Sequence, residues 1–117
     1  MKVEWLAGEF SVCRIREVKD ADLSAPFTFF AVTDTEKSLV CPTEACPANA
    51  LKREDGWRCF RLPGPLDFSL VGVLAKITGC LRDAGIPVFA VSTYDTDYVL
   101  VRSADAERAA LALSALS

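Results

Sequence analysis

Apolar residues recur at helical spacing in the second half of the chain. They fall every three or four positions on one face, at Leu70, Leu74, Ile77, Leu81 and Ala84. Ser69 is suited to cap the first N–H groups of such a helix. Gly85 can end it in a left-handed conformation, and Pro87 cannot continue it. The pattern therefore predicts one amphipathic helix between Ser69 and Gly85.

Beyond Pro87 the residues become β-branched and aromatic, pause at a polar stretch over residues 94–97, and then resume. Two such runs around a polar break are typical of a β-hairpin. Ser103 precedes an alanine-rich segment, which predicts a final helix capped by this serine. Asp105 and Glu107 suit the positive N-terminal end of that helix.

The first half of the chain alternates between apolar and polar residues in short runs. Strands are predicted at residues 9–16, 27–33, 38–41 and 57–62. Residues 18–26 hold one helical turn at most. Residues 42–53 are predicted to form a short helix that Pro47 interrupts. The dipeptide Asp55-Gly56 predicts a turn.

The order of elements repeats along the chain. Residues 30–33 and 38–40 resemble residues 89–92 and 99–101, and both pairs enclose a polar turn. A strand precedes each hairpin and a helical segment follows it. We interpret this as a tandem repeat whose first copy has its leading helix reduced to a loop. The last strand of the second copy is then missing, or comes from the other half or from another chain.

Composition and charge narrow the classes of function. A chain of 117 residues has room for one domain, or for two half-domains that share a core. The net charge of −3 argues against nucleic acid as a partner. There is no signal-peptide pattern and no long apolar run, so we expect a cytoplasmic protein with no membrane span. Histidine is absent, which excludes His-activated nucleophiles.

The five cysteines are interpreted as reduced, structural thiols. Cys41-Pro42 and Cys46-Pro47 suggest a metal or redox site, but their spacing is not C-x-x-C, and no histidine or second cysteine pair completes a tetrahedral set. We therefore expect no metal and no cofactor. We also expect no catalysis, because no pair of acid–base residues stands out.

Several motifs resemble the ACT domain, a small regulatory amino-acid-binding module. They are Gly-Pro-Leu-Asp-Phe at 64–68, Val-Gly-Val-Leu-Ala at 71–75 and the segment 92–101. Residues 35–41 are similar to the first ACT unit of the tandem-ACT branch related to CASTOR-type arginine sensors. The resemblance implies an α+β fold of tandem ACT-like, ferredoxin-like βαββαβ units. Residues 1–62 would form an N-terminal ACT-like half and residues 63–117 the C-terminal ACT domain.

In ACT domains, the loop entering the first helix and the edge strand of a facing unit enclose a free amino acid. The resemblance thus implies a non-catalytic regulatory module that binds a small amino acid between units, forms a homo-oligomer and acts on a regulated protein. The implied ligand-binding residues are Asp67, Phe68, Leu70, Val71, Gly72, Val73, Thr93, Tyr94 and Asp97. The N–H groups of residues 70–73 would take a carboxylate, and Asp97 would take an ammonium or guanidinium group.

Simpler interpretations of the same residues stay open. Gly72 is also a small residue where a helix meets a sheet, and Asp95 and Asp97 are ordinary turn formers. Leu70 stands where the arginine sensors have a carboxylate, so arginine is not the expected ligand and we expect a neutral or apolar side chain to be tolerated. The alternative function is a structural or assembly dimer of ACT-like sheets that has kept no ligand site. A small enzyme is the third and least favoured class.

Overall fold

The computed structural model describes residues 2–62 and 72–116. Within these ranges the strands and α-helices are β1 Glu4–Trp5, β2 Phe10–Ile15, β3 Phe29–Val32, β4 Lys37–Pro42, β5 Lys52–Arg61, α1 Val73–Asp83, β6 Phe89–Ser92, β7 Asp97–Arg102 and α2 Ala106–Ser114. Single turns of 3-10 helix lie at Val18–Asp20, Thr43–Ala45 and Ser103–Asp105. The predicted α+β class is confirmed.

The chain divides into two compact units. We call Gly8–Trp57 the first unit, and Met1–Ala7 together with Arg58–Ser117 the second unit. Strand β5 contributes residues to both. The division of the chain into halves 1–62 and 63–117 stays a prediction about domain organisation.

In the first unit the strand order is β3-β4-β2-β5, and these neighbours pair antiparallel. Cys13 and Ile15 alternate along β2, as Leu39 and Cys41 do along β4, so the four side chains share one buried face. Between β2 and β3 the described helical structure is the single 3-10 turn Val18–Asp20. The leading helix of the first copy is thus reduced, as predicted.

The helix predicted over residues 42–53 is wrong. The segment forms one 3-10 turn, Thr43–Ala45, and the chain has already entered strand β5 at Lys52. Proline at position 47 explains this, because it cannot donate the hydrogen bond that a longer helix would need.

The turn predicted at Asp55-Gly56 is also wrong, since both residues lie inside β5. The pairing register shifts between Phe10 and Val12, where Ser11 faces these two residues of the partner strand. Gly56 has a φ of 84° there, the left-handed conformation that glycine adopts in a β-bulge. The Ser11 hydroxyl donates to the Asp55 carboxylate at 2.5 Å. The Asp-Gly pair therefore bends a strand instead of ending one.

In the second unit β5 is followed by β7 and then β6, and β6 pairs antiparallel with β7. Strand β1 pairs antiparallel with β5, placing Glu4 opposite Arg61 and Trp5 opposite Phe60. The Arg61 guanidinium also binds the Glu4 carboxylate through two bonds of 3.0 Å. β1 therefore lies where a βαββαβ unit has its last strand. The strand considered missing comes from the N-terminal end of the same chain.

The helices of the second unit bury their apolar stripes in one core. Ile77 and Leu81 of α1 and Ala109 and Leu113 of α2 are buried in it, together with Phe60, Leu62, Ile86, Val99 and Val101. The predicted stripe is confirmed where it is described, because Leu74 and Ala84 pack against the same core. Leu70 and Ser69 lie outside the described residues. The N-cap of the described helix is Gly72, and the cap predicted at Ser69 stays a prediction.

The two hairpins match each other at a constant offset of sixty positions. Phe29 pairs with Val40 in the first, and Phe89 pairs with Leu100 in the second. The predicted alignment of residues 30–33 with 89–92 is therefore one position out. A 3-10 turn follows each hairpin at the same offset. Ser103 begins the second of these turns and does not cap α2, contrary to the prediction.

Candidate ligand-binding site

The entry of helix α1 is shaped by Gly72. This residue adopts a left-handed conformation with φ 86° and ψ 5°, which side chains other than hydrogen rarely permit. Its carbonyl accepts the Lys76 N–H at 2.8 Å, the first hydrogen bond of the helix. No described side chain caps α1. The first N–H groups of a helix lack intrahelical partners and carry partial positive charge, so this end suits an anion.

Val73 begins α1 and is half-buried against the core of the second unit. It fixes the helix entry in place, while Gly72 is exposed. The other four predicted residues of this loop, Asp67, Phe68, Leu70 and Val71, lie outside the described residues.

The turn between β6 and β7 carries the next predicted site residues. The Thr93 N–H donates to the Thr96 carbonyl at 2.9 Å, and the Thr93 hydroxyl donates to the same oxygen at 3.0 Å. Tyr94 is 87% exposed at the tip. Thr93 thus shapes the turn, whereas the Tyr94 ring is accessible to a ligand or to another chain.

Thr96 is a residue that the sequence reasoning missed. It is 7% exposed, and its hydroxyl donates to the Leu62 carbonyl at 2.9 Å. The Leu62 N–H in turn donates to the carbonyl of Asp97 at 3.1 Å. These two bonds attach the hairpin turn to the end of β5. The sequence gives no signal for this, because a threonine in a polar turn is usually exposed.

Asp97 is the first residue of β7 and is half-buried. Its carboxylate accepts the Ser92 hydroxyl at 2.6 Å across the strand pair. A carboxylate has two oxygens and about four acceptor positions, so this bond orients the group and leaves room for a cation. The described structure thus places Thr93, Tyr94 and Asp97 together on one turn, and Gly72 with Val73 at the helix entry.

A second group of chemically distinctive side chains lies in the first unit. The Sγ atoms of Cys13, Cys41 and Cys46 lie within 4.8 Å of one another. Burial raises the pKa of the Cys41 thiol to about 11 and raises that of Cys13 as well. These two thiols are therefore neutral near pH 7. The sequence suggested a thiol pair at Cys41 and Cys46 only. Cys13 is far from both in sequence and comes close to them through the pairing of β2 with β4.

Comparison with known proteins identifies the class. The model of the ACT domain family matches residues 52–115, more than half of the chain, and the chain belongs to the ACT domain family. A search of curated proteins finds no match. None of the described helices is long and apolar enough to cross a membrane.

Solved structures with the same fold include three that are similar over almost the whole chain. The Agobacterium tumefaciens protein Atu0741 is 33% identical, with a TM-score of 0.84, and the match covers 96% of this chain and 85% of that one. A Vibrio cholerae protein of unknown function, VC0802, is 21% identical, with a TM-score of 0.74 and coverage of 95% and 85%. Aspartate kinase from Clostridium acetobutylicum, an allosteric enzyme, is 13% identical, with a TM-score of 0.67 and coverage of 96% and 32%.

Proposed function

We propose that this protein is a regulatory ACT module that binds a small free amino acid. The ligand lies against the entry of α1, and a facing ACT unit encloses it with its hairpin turn. The module is non-catalytic and cytoplasmic, acts as a homo-oligomer, and passes the ligand signal to a regulated protein. Family membership supports a module of this kind, and the fold shared with an allosteric aspartate kinase is consistent with it.

The observation that carries the proposal is the left-handed Gly72 at the N-cap of α1. A serine or aspartate at this position would satisfy the first helix N–H groups with its own side chain. Glycine leaves them for a ligand and lets the ligand approach the backbone closely. The α-carboxylate of an amino acid has the charge and the acceptor geometry for this end of the helix.

Asp97 supplies the opposite charge. The Ser92 hydroxyl holds its carboxylate at the start of β7, where it can pair with the α-ammonium group of the ligand. Leu70 stands where the arginine sensors have a carboxylate, so we propose a ligand with a neutral or apolar side chain instead of arginine.

The energies require the ligand to be enclosed. A carboxylate at an exposed helix end, or an exposed ion pair, contributes only ~0.3–1 kcal/mol. A charge-assisted hydrogen bond shielded from water contributes roughly 1.5–3 kcal/mol. Micromolar affinity needs about 8 kcal/mol in total, which two exposed contacts cannot provide. A facing ACT unit that covers the ligand is therefore part of the proposal.

A thermal-shift screen over the twenty amino acids tests the function, because a ligand that binds only the native state raises the melting temperature. We expect one amino acid, or a small group of similar ones, to raise it. No shift with any of them would favour the structural dimer without a ligand site.

Two glycine variants separate the site from general stability. Gly72→Ala and Gly85→Ala lie at opposite ends of α1, both with positive φ (86° and 75°) and with no atom of the described residues within 4 Å of the added methyl group. Both should destabilise the fold by a similar ~1–2 kcal/mol. Only Gly72→Ala should reduce the ligand-induced shift, because its methyl group stands where the carboxylate binds. Equal reductions in the two variants would contradict the proposed position.

A further inference from the structure

Three cysteines from separate parts of the first unit meet in space. Cys13 lies in β2, Cys41 in β4, and Cys46 directly after the 3-10 turn Thr43–Ala45. The Cys13 and Cys46 sulfurs are 2.7 Å apart, and all three Sγ atoms lie within 4.8 Å of one another. Cys13 and Cys41 are buried and Cys46 is half-buried. Thiolates are soft ligands that select d10 ions.

We propose that Cys13, Cys41 and Cys46 form a three-thiolate site for a thiophilic d10 metal ion, Zn²⁺ or Cu⁺. Sulfurs bound to such an ion at ~2.3 Å lie about 3.8 Å apart. To reach this spacing, the Cys13 and Cys46 sulfurs must move apart from their present distance of 2.7 Å. Cu⁺ would be satisfied by three sulfurs alone, and Zn²⁺ would add one water molecule as its fourth ligand.

The surroundings favour a soft ion over Mg²⁺ or Ca²⁺. The residues packed around the thiols are apolar: Ile15, Leu39, Ala21, Phe30, Ala45 and Ala50. Hard cations need several oxygen ligands, which this shell of side chains does not offer. Cys46 is half-buried and follows a 3-10 turn, outside the strands, so its sulfur can move to complete the site.

The charge around the thiols and their access to solvent are also compatible with a bound metal ion. Three thiolates with Zn²⁺ carry one net negative charge, and Arg53 lies opposite Cys13 in the pairing of β2 with β5, which places a positively charged residue next to the site. Cys46 is half-buried, so solvent and an ion can reach the site from its side.

Binding releases protons, because a cysteine thiol is mostly protonated near pH 7 and a metal ion binds the thiolate. Three S–H bonds break, three metal–sulfur bonds form, and up to three protons leave to solvent without any change in oxidation state. The apparent affinity should therefore rise steeply with pH.

The test uses the full chain, reduced and freed of metal. Zn²⁺ is titrated against a chromogenic chelator, and Cu⁺ against a Cu⁺-specific chelator under anaerobic conditions. We expect one equivalent of at least one ion, with thiolate-to-metal absorption in the ultraviolet for Cu⁺ and proton release in weak buffer for either. Failure to take up either ion overturns the proposal.

Cys46→Ala is the main variant, because its half-buried side chain makes unfolding less of a concern. It should weaken binding by at least ~100-fold, more than the loss of an outer-shell partner. Cys80→Ala is the matched control. Cys80 is another half-buried cysteine, in α1, and its thiol donates to the Ala112 carbonyl at 3.4 Å. Unchanged affinity in Cys46→Ala, or an equal loss in Cys80→Ala, contradicts the site. Circular dichroism confirms that each variant is folded.

Discussion

The bond between Thr96 and Leu62 offers a sharp test of how the hairpin turn is held. Thr96 is 7% exposed and Leu62 is 1% exposed, and the hydroxyl of the first donates to the carbonyl of the second at 2.9 Å. Thr96→Val keeps the shape of the side chain and replaces the hydroxyl with a methyl group. The variant removes the Thr96 hydroxyl and leaves the buried Leu62 carbonyl without this hydrogen bond.

The expected cost follows from two opposing terms. Leaving a buried acceptor unsatisfied costs ~1–3 kcal/mol. Burying one additional methyl group offsets about 0.8 kcal/mol of this. The free energy of unfolding should therefore fall by roughly 0.2–2.2 kcal/mol.

Urea denaturation followed by circular dichroism measures this difference, and Thr93→Val is the matched control. Thr93 lies in the same turn and its hydroxyl donates to the Thr96 carbonyl at 3.0 Å, but it is exposed. Water can replace that bond, so the control should change stability by less than ~0.5 kcal/mol. If Thr93→Val costs as much as Thr96→Val, burial does not set the strength of this attachment.

Three further predictions concern other parts of the chain. The hydrogen bond from Arg61 lowers the pKa of Glu4 below its ordinary value of 4.5, so its stabilising effect is present above that value and is lost as pH falls through the lower folded pKa. In urea denaturation, Glu4→Gln should therefore be less stable than the native protein at pH 7 and equally stable well below pH 4. The same stability difference at both pH values would contradict this. Burial raises the pKa of Cys59 to about 12, so mass spectrometry should find this thiol unalkylated in the native protein at pH 8 and alkylated after denaturation; labelling of the native form would contradict its burial. Light scattering at tens of micromolar should give a dimer or larger, whereas a monomer mass would reject the homo-oligomer.

Local patterns predicted the second unit well. The α1 stripe is confirmed by the full burial of Ile77 and Leu81, and the β6–β7 hairpin follows from its polar break. A helix or a hairpin is formed by residues that are close together in sequence, so the spacing of apolar and polar residues is enough to predict it. The same holds for the ACT motifs at 64–68, 71–75 and 92–101, which lie inside the range matched by the ACT family model. The similarity of residues 35–41 to tandem-ACT sensors stays a prediction.

Features that depend on distant contacts could not be predicted. Asp55-Gly56 has the composition of a turn, and only its pairing with Ser11 makes it a bulge. Glu4–Trp5 completes the second unit by pairing with the end of β5, more than fifty residues away. The thiol cluster likewise depends on the register between β2 and β4, which brings Cys13 beside Cys41. In each case the residues are present in the sequence, but the sequence does not show which distant residues they contact.

The central claim is that a free amino acid binds with its ammonium group on Asp97, and calorimetry tests this most directly. The amino acid giving the largest thermal shift is titrated into the native protein, Asp97→Asn and Asp95→Asn. Asparagine can still accept the Ser92 hydroxyl, so Asp97→Asn should keep the turn. Loss of a charge-assisted bond of ~1.5–3 kcal/mol should weaken its affinity by about 10–150-fold. Asp95→Asn, in the exposed part of the same turn, should bind like the native protein. Absence of heat with every amino acid, or equal affinity in Asp97→Asn and the native protein, would contradict the claim.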